Sequence, residues 1–321
     1  MKNIILVFLF LISSICVDAQ LIEDLDRAYI VSKNVKVQST FEYEVVRGKR
    51  AAKGVLTKEL HFDNQGNIVK QVNFKRNGSV HSVLNYKYDD NGNKIQYEKY
   101  IGAQDSLNYK QNVKFDNKGK RVYEKGFDGV DSFRIVYNYN KLNKLVESIY
   151  YTGKTIDEKR VFEYIGNTSN IKVLNKKGEI QYTLQNVYNN NNKLIEEKRI
   201  EKDNTISKRT VYEYNADNKI TSETKYIGQN VVNKIISNYN AKGQIFEVVE
   251  ENVKGEKYII KKYTYDAAGV LVEEQYRSGS NKDFSKNTFK YNDKGVCESV
   301  DTYFATYNYQ TLSVFTYEYY Q

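Results

Sequence analysis

Apolar residues alternate with polar ones over short runs along most of the chain. Runs such as "TVYEYN" at 210–215 and "FKYND" at 289–293 place an aromatic or branched side chain at every second position. An alternation of period two predicts β-strands with one more apolar face, whereas helices need a period of about 3.6 residues. Asp, Asn and Gly, the common turn residues, separate the runs. The pattern therefore predicts an all-β protein built from short antiparallel strands.

The strand pattern repeats along the chain. Each unit contains an aromatic residue, usually followed by Asp or Asn, and this anchor recurs every 24 to 27 residues. A period of this regularity is typical of repeat proteins, in which each unit packs on its neighbours. We expect the anchors to form a ladder of stacked side chains on one face of a sheet. The anchors are Phe62, Tyr88, Phe115, Tyr139, Tyr164, Tyr188, Tyr214, Tyr239, Tyr265 and Tyr291.

Four residues after most anchors the chain has Gly or Asn, the two residues that best tolerate a positive φ. This placement predicts a short hairpin loop, in which a type I turn is followed by a left-handed residue. The unit after Tyr164 reads "IGNTSN", which predicts a longer, irregular loop. The glycines expected at the left-handed position are Gly66, Gly92, Gly119, Gly243, Gly269 and Gly295, and Asn143, Asn192 and Asn218 replace Gly there in other units.

Together these elements predict a long antiparallel meander of about ten β-hairpin repeats. The chain contains no Pro, which suits an array of central strands because such strands cannot spare a backbone N–H. Since sheets twist, we expect a curved or spiralling open sheet. Closure into a shell is the alternative, because it would protect the two edge strands.

Three segments are predicted. Residues 1–19 resemble a secretory signal peptide, with Lys2, the apolar run "IILVFLFLI" and cleavage after Ala19. Residues 20–54 would form an N-terminal cap, with a short helix within 21–34 and a strand at 39–46, and residues 55–321 the repeat array. Cleavage would remove Cys16 and leave Cys297 without a disulfide partner, so we expect Cys297 to be a small, partly buried apolar side chain.

The composition limits the classes of function. The chain has 321 residues, 30 of them Tyr, with 28% charged residues and a net charge of +9, so it is too polar for a thick apolar core. A positive net charge favours acidic partners. Lys and Glu are interleaved, however, and form no basic stripe of the kind that nucleic-acid binding needs. We therefore expect both sheet faces to be covered partly by the stems of charged side chains.

The repeat unit, aromatic-[Asp/Asn]-x-x-[Gly/Asn]-x-[Ile/Leu], resembles the YD-repeat or RHS-repeat family of bacterial secreted and surface proteins over roughly residues 55–317. The resemblance implies β-hairpins that spiral into an extended or hollow structure, which encloses a C-terminal toxin in large members, while other members are linked to cell walls or sugar binding. This chain is much shorter and often has Asn in place of Asp. MORN-type repeats are a second, weaker resemblance, since they contain more Gly and are slightly shorter. The residues that carry the main match are Tyr88-Asp89 with Gly92, Phe115-Asp116 with Gly119, Tyr265-Asp266 with Gly269, and Tyr291-Asn292 with Gly295.

The sequence contains no recognisable catalytic, metal-binding or cofactor-binding motif, so we expect neither an enzyme nor a cofactor. His61 and His81 are interpreted as exposed sheet histidines rather than metal ligands. The anchors are expected to be structural. Tyr97, Tyr123 and Tyr150 are the candidate ligand contacts, because counting along the strands places them one step out of register with the ladder.

The expected function is a non-enzymatic β-repeat scaffold or binding protein that is secreted, periplasmic or on the cell surface. Its expected partners are polysaccharide, cell-wall material or another surface protein, with no nucleic acid and no transmembrane segment after signal cleavage. The alternative is a component of a toxin or contact-dependent system, either a shell fragment or an antitoxin-like immunity partner.

Overall fold

A computed structural model describes residues 27–103, 106–277, 282–293 and 295–321. The predicted signal peptide and residues 20–26 of the predicted cap lie outside these residues. The described chain is almost entirely β, so the all-β prediction is correct. Its elements are α1 (Arg27–Ser32), β1 (Val35–Val46), β2 (Lys49–Arg50), β3 (Val55–Phe62), β4 (Ile68–Phe74), β5 (Val80–Tyr88), β6 (Lys94–Ile101), β7 (Ser106–Phe115), β8 (Arg121–Phe127), β9 (Ser132–Tyr139), β10 (Leu145–Thr152), β11 (Thr155–Ile165), β12 (Thr168–Asn175), β13 (Ile180–Tyr188), β14 (Leu194–Glu201), β15 (Ile206–Tyr214), β16 (Ile220–Ile227), β17 (Asn230–Tyr239), β18 (Ile245–Asn252), β19 (Lys257–Tyr265), β20 (Leu271–Arg277), β21 (Phe284–Tyr291), β22 (Cys297–Phe304), a 3₁₀ turn (Ala305–Tyr307) and β23 (Tyr309–Tyr319).

The loops after the anchors share one geometry. In the loop after Tyr265, the N–H of Gly269 donates to the carbonyl oxygen of Asp266 at 3.0 Å, and the N–H of Asp266 donates to that of Val270 at 2.9 Å. The Asp266 carboxylate also accepts the N–H of Val270 at 2.8 Å. Gly269 has φ +89°, which is the left-handed residue that follows a type I turn. The other glycines at this position, and the asparagines that replace them, also have positive φ.

The loop after Tyr164 differs from its prediction. Ile165 and Thr168 pair directly, so the loop consists only of Gly166 and Asn167. Gly166 has φ +55°, and a glycine at the first position of a two-residue loop allows a tight hairpin turn. The expectation of a longer, irregular loop was therefore wrong.

Every anchor except Tyr164 pairs with the residue six positions ahead, next to a one-residue β-bulge. Tyr214 pairs with Ile220, whereas Glu213 pairs with Ser222, so one residue of β16 is left over between the two pairs. The same shift occurs next to Tyr88, where Tyr88 pairs with Lys94 and Lys87 with Gln96. A bulge raises the local twist, and it also changes which later residues share a face with the anchor.

The meander closes on itself. Each strand from β3 to β23 pairs antiparallel with its neighbours in the chain, and β1 pairs with β3 on one side and β23 on the other. Thr40, for example, lies between Lys58 of β3 and Phe315 of β23. The short β2 pairs only with β1, so the remaining 22 strands form a closed barrel. The expected open sheet was wrong, because the strand expected to cap only the first hairpin also pairs with the last strand.

The register sets the width of the barrel. Following paired residues once around the ring shifts the register along β1 by about 22 residues. For 22 strands this shift corresponds to a strand tilt of about 37° and a backbone radius of about 20 Å. A ring of this radius is too wide to be filled by the side chains of its own wall.

Buried apolar side chains are few and form small clusters. At the junction of the first and last strands, Ile30 of α1 packs with Val35, Leu60 and Phe62. The carbonyl oxygen of Asn34 accepts the N–H of Tyr320 at 2.7 Å next to this cluster. Part of the helix expected within residues 21–34 is therefore present as α1. It lies against the junction of β1 and β23, which we call the seam of the barrel.

The strand registers divide the side chains between two faces. We call the face that carries the anchors the aromatic face, and the opposite one the ion-pair face. On the ion-pair face, Lys and Glu side chains of neighbouring strands pair, as in Lys110–Glu98 at 2.6 Å and Lys286–Glu273 at 3.4 Å. These pairs explain how many of the charged side chains on that face are neutralised.

Candidate aromatic binding site

The tyrosine anchors connect consecutive hairpins through their hydroxyl groups. The hydroxyl of Tyr265 donates to the backbone carbonyl oxygen of Ile245 at 2.8 Å, one unit earlier in the chain. Tyr320 makes the equivalent bond across the seam to the carbonyl oxygen of Phe62. Because these hydroxyls donate their protons to the backbone, they have no proton left to donate to a ligand. The anchors with such a bond are Tyr88, Tyr139, Tyr164, Tyr214, Tyr239, Tyr265 and Tyr291.

A second set of rings on the aromatic face forms a continuous row. Tyr86, Tyr97, Tyr109, Phe133 and Tyr150 follow one another with ring centroids 5.3, 5.4, 5.9 and 6.3 Å apart. Two of the four pairs are stacked and two are tilted, with interplanar angles of 18–48°, and centroid distances in this range are those that aromatic pairs favour. We call these five side chains the aromatic row.

The strand register and one glycine explain why these rings lie next to one another. Tyr86 of β5 lies directly opposite Tyr97 of β6. On β8, Gly126 lies opposite Phe133 of β9. A Cβ atom at Gly126 would lie 2.6 Å from the ring of Phe133, so only glycine lets that ring lean across β8 toward Tyr109. Any side chain at this position would interrupt the row.

The hydroxyls of the row differ from those of the anchors. Among the described residues, none accepts or donates a hydrogen bond to the hydroxyl of Tyr86, Tyr97 or Tyr109. Burial raises the pKa of Tyr86 to about 12, helped by the neighbouring Tyr97. Burial also raises the pKa of Tyr109 to about 12, with a further contribution from Glu124. These phenols are therefore neutral at physiological pH and can both donate and accept hydrogen bonds.

A buried carboxylate lies beside the row on the same face. Glu124 is 2% exposed and accepts hydrogen bonds from Gln111 Nε2 at 2.5 Å, Tyr137 at 2.6 Å and Arg121 at 2.9 Å. Burial and the Glu124 carboxylate together raise the pKa of Tyr137. Three donors satisfy this buried charge, so Glu124 holds the neighbouring side chains in place and has no free oxygen aimed at a ligand.

The structure separates the three tyrosines predicted to contact a ligand. Tyr97 and Tyr150 belong to the aromatic row, whereas Tyr123 lies opposite Lys114 on the ion-pair face. The expectation that all three are out of register with the ladder was therefore wrong for Tyr97 and Tyr150. The cause is the β-bulge beside Tyr88 and beside Tyr139, which moves later residues of those hairpins to the other face.

Sequence reasoning missed Tyr109 and Phe133. Both stand six residues before an anchor, Phe115 and Tyr139 respectively, and an even spacing within a strand places residues on one face. That signal was present in the sequence. The role of Gly126 was not, since it depends on which residue lies opposite it on β9.

The two histidines and Cys297 form no catalytic or metal site on the described chain. His61 lies 3.5 Å from Glu59, and His81 is exposed on β5, separated from it by β4. Cys297 is buried, and burial raises the pKa of its thiol to about 12, so the thiol is protonated. Among the described residues, no group of three His, Cys, Asp or Glu side chains is placed to hold a metal ion. The described part of the chain also has no helix of the length and apolarity needed to cross a membrane.

Comparison with known proteins finds similarity only among solved structures. No protein-family model matches the chain, and no curated protein matches it significantly. A crystal structure of TcdB2-TccC3 without its hypervariable C-terminal region aligns with 81% of this chain and 14% of its own, at 12% identity and TM-score 0.35. A porin-like protein from Bacteroides uniformis aligns over 88% of this chain and 98% of its own, at 9% identity and TM-score 0.31. One from Bacteroides vulgatus aligns over 75% and 97%, at 11% identity and TM-score 0.22. These TM-scores are too low to support an argument about function.

Proposed function

We propose that the protein is a non-enzymatic, secreted or cell-surface binding protein whose aromatic row binds an extended, hydroxyl-rich chain such as a polysaccharide. The observation that carries the proposal is the contrast between two sets of tyrosines on one face. The anchors use their hydroxyls to hold the barrel together, whereas Tyr86, Tyr97 and Tyr109 leave theirs without a protein partner. A purely structural row would not need three phenol groups where phenylalanine would pack equally well.

The geometry of the row suits a sugar chain. It crosses from β5 to β10, a distance of about 24 Å at the usual spacing of strands. Aromatic side chains offer apolar ring surface for the C–H groups of a sugar, and phenols can bond to its hydroxyls. The rings are already packed against one another, so little side-chain entropy would be lost on binding.

The wider assignment is a YD-type repeat protein. The motif at the anchors, the hairpin loops and the hydrogen bonds from anchor to earlier unit support this assignment, and the signal-peptide pattern of residues 1–19 supports secretion. The proposed partners are cell-wall or capsule polysaccharide, or another surface protein. Nucleic acid is not proposed, since Lys and Glu are interleaved along the chain.

Affinity electrophoresis in gels containing soluble polysaccharides would test the proposal. We expect retardation of the wild-type protein by at least one glycan and a clear loss of retardation on Tyr97→Ala and Tyr109→Ala. Tyr97→Phe should weaken binding less, because it removes only the hydroxyl. Tyr182→Ala is the matched control, since Tyr182 lies on the aromatic face outside the row, beneath the guanidinium of Arg199 at 3.7 Å. Equal retardation of all folded variants, or none for any glycan, would refute the role of the row.

A second candidate is a shell component of a toxin or contact-dependent system. The observation that favours it is closure into a ring of about 20 Å radius, which leaves room for another polypeptide. Co-expression with the product of an adjacent gene, followed by proteolysis, would test it. Protection of that product by the intact barrel would support this candidate, and rapid digestion would count against it.

A further inference from the structure

We propose that the ion-pair face carries a binding pocket for a sulfate or phosphate group, built by Lys125 and Arg134 with Lys110 at its edge. The pocket has a volume of about 400 Å³ and lies between β7, β8 and β9, with Tyr123 and Asn112 in its lining. We call it the basic pocket. Gly126 and Phe133 also line it, but its cations lie on the face opposite the aromatic row, so this proposal does not depend on polysaccharide binding by the row.

Several cations of the ion-pair face are neutralised by carboxylates. Lys110 pairs with Glu98, Lys198 with Glu196 and Lys172 with Glu163, at 2.5–2.6 Å. Other cations of the face, such as Lys114 and Lys290, also make no ion pair on the described chain. What distinguishes the pocket is that two cations without an ion pair lie on adjacent strands.

Two cations face each other in the pocket. Lys125 of β8 lies directly opposite Arg134 of β9 on one side and Asn112 of β7 on the other. Within the described chain, no carboxylate comes within ion-pair distance of Lys125 or Arg134. Like charges directly opposite each other in an antiparallel sheet are destabilising. A bound anion between them would turn this repulsion into attraction.

The guanidinium of Arg134 is also held in place, and one of its N–H donors has no partner. Its guanidinium carbon lies 3.8 Å from the ring centroid of Tyr151, a cation–π contact that fixes its orientation. Its Nε atom is buried and has no hydrogen-bond partner. A buried donor without a partner is costly, and a planar guanidinium fits an oxyanion through two parallel hydrogen bonds. Together these contacts describe an anion site in which Arg134 is the main ligand.

The surrounding charges leave the pocket positive. The nearby loop carries Asp128, whose carboxylate already accepts the N–H groups of Val130 and Asp131 at 3.0 and 2.8 Å. Glu98 is paired with Lys110. The volume exceeds that of a single ion, so the pocket has room for a sulfated or phosphorylated sugar residue as well as for the free anion.

Isothermal titration calorimetry at constant ionic strength tests the proposal, with sodium sulfate, sodium phosphate, dextran sulfate and unmodified dextran as probes. We expect saturable binding of the free anions to the wild-type protein and at least a tenfold loss of affinity in Arg134→Gln and in Lys125→Gln. Lys159→Gln is the matched control, because Lys159 lies on the same face and pairs with Glu147. Its affinity should equal that of the wild type.

The probes distinguish the source of the anion. If dextran sulfate binds much more tightly than free sulfate and Lys125→Gln weakens both to the same degree, the site is assigned to a group carried on a polymer. If the two affinities are equal, the site is assigned to the free anion. Dextran sulfate that binds wild type and variants equally would reveal general charge attraction and overturn the proposal, as would the absence of binding by every anion. Lys125 is exposed, so Lys125→Gln decides the test if Arg134→Gln fails to fold.

Discussion

Tyrosine has two separate roles on one face of this protein. The anchor hydroxyls bond to backbone carbonyl oxygens of the preceding unit, as Tyr265 does with Ile245 at 2.8 Å. In the aromatic row, the hydroxyls of Tyr86, Tyr97 and Tyr109 lack a partner on the described chain. The two sets differ in their position along the hairpin and not in residue type, so residue type alone does not separate them.

The anchor hydrogen bond should be measurable as stability. Tyr265→Phe removes the donor to Ile245 while keeping the ring, so we expect a loss of about 1 kcal/mol in the free energy of unfolding. Urea denaturation followed by far-UV circular dichroism measures it. Tyr182→Phe should cost less, because no hydrogen bond of its hydroxyl is present on the described chain. Equal losses in the two variants would contradict the role given to the anchors.

The left-handed residue of the anchor loops can be tested at Gly269, where φ is +89°. Gly269→Val should destabilise the protein by about 1–2 kcal/mol, because a β-branched residue is strained in this conformation. Gly269→Asn should cost clearly less, since Asn143, Asn192 and Asn218 adopt positive φ at the equivalent position. The order of the urea midpoints, wild type above Asn above Val, checks the assignment, and a Val midpoint equal to that of the wild type would contradict it.

At the scale of the hairpin, the sequence predicted the existence and order of the elements better than their faces. The period of the anchors and the Asp-to-Gly spacing were sufficient to place the strands and most loops. The single extra residue beside nine of the ten anchors was not visible in the sequence, and it moved Tyr97 and Tyr150 to the aromatic face. A face assignment depends on counting every residue, so one unrecognised bulge reverses it.

The burial of neutral phenols makes the stability of the barrel sensitive to alkali. Burial raises the pKa of Tyr86 and Tyr109 to about 12 and also raises that of Tyr265. Tyrosines of the unfolded chain ionise near pH 10. Above that pH the unfolded state therefore loses protons that the folded state keeps, so stability should fall between about pH 10 and 12 and be unaffected by these groups below pH 10.

Urea midpoints at pH 8, 10 and 11, together with tyrosinate absorbance, check this expectation. The folded protein should ionise later than the urea-unfolded chain. Coincident titration curves for the two states would contradict the raised pKa values.

At the scale of the whole molecule, closure was the feature that sequence did not predict. The residues of β1 alternate like those of any other strand, and nothing in them identifies β23 as a second partner. Whether a meander closes depends on twist accumulated over all its strands. Small local differences at each bulge add up around the ring, and no single motif records the sum.

A disulfide across the seam tests closure directly. Glu42 of β1 and Ser313 of β23 are directly opposed, and directly opposed residues lie within the Cα separation that a disulfide accepts. We expect the double variant Glu42→Cys and Ser313→Cys, made with Cys16→Ser, to form an intramolecular crosslink and migrate faster on a non-reducing gel. Glu42→Cys with Ser237→Cys is the control and should not crosslink. A monomer that stays uncrosslinked under oxidation would indicate an open seam.

The seam also determines when folding can finish. It joins residues 35–46 to residues 309–319, which are the paired strands farthest apart in the sequence. Such contacts form slowly, because closing the long loop between them costs chain entropy before the contact forms. The first strand to emerge from synthesis or export therefore waits, with one edge unpaired, until the last strand arrives. A chain that ends early keeps two exposed edges, and each edge is a template for pairing with other chains. Truncated copies are therefore expected to aggregate, whereas the complete barrel has no free edge.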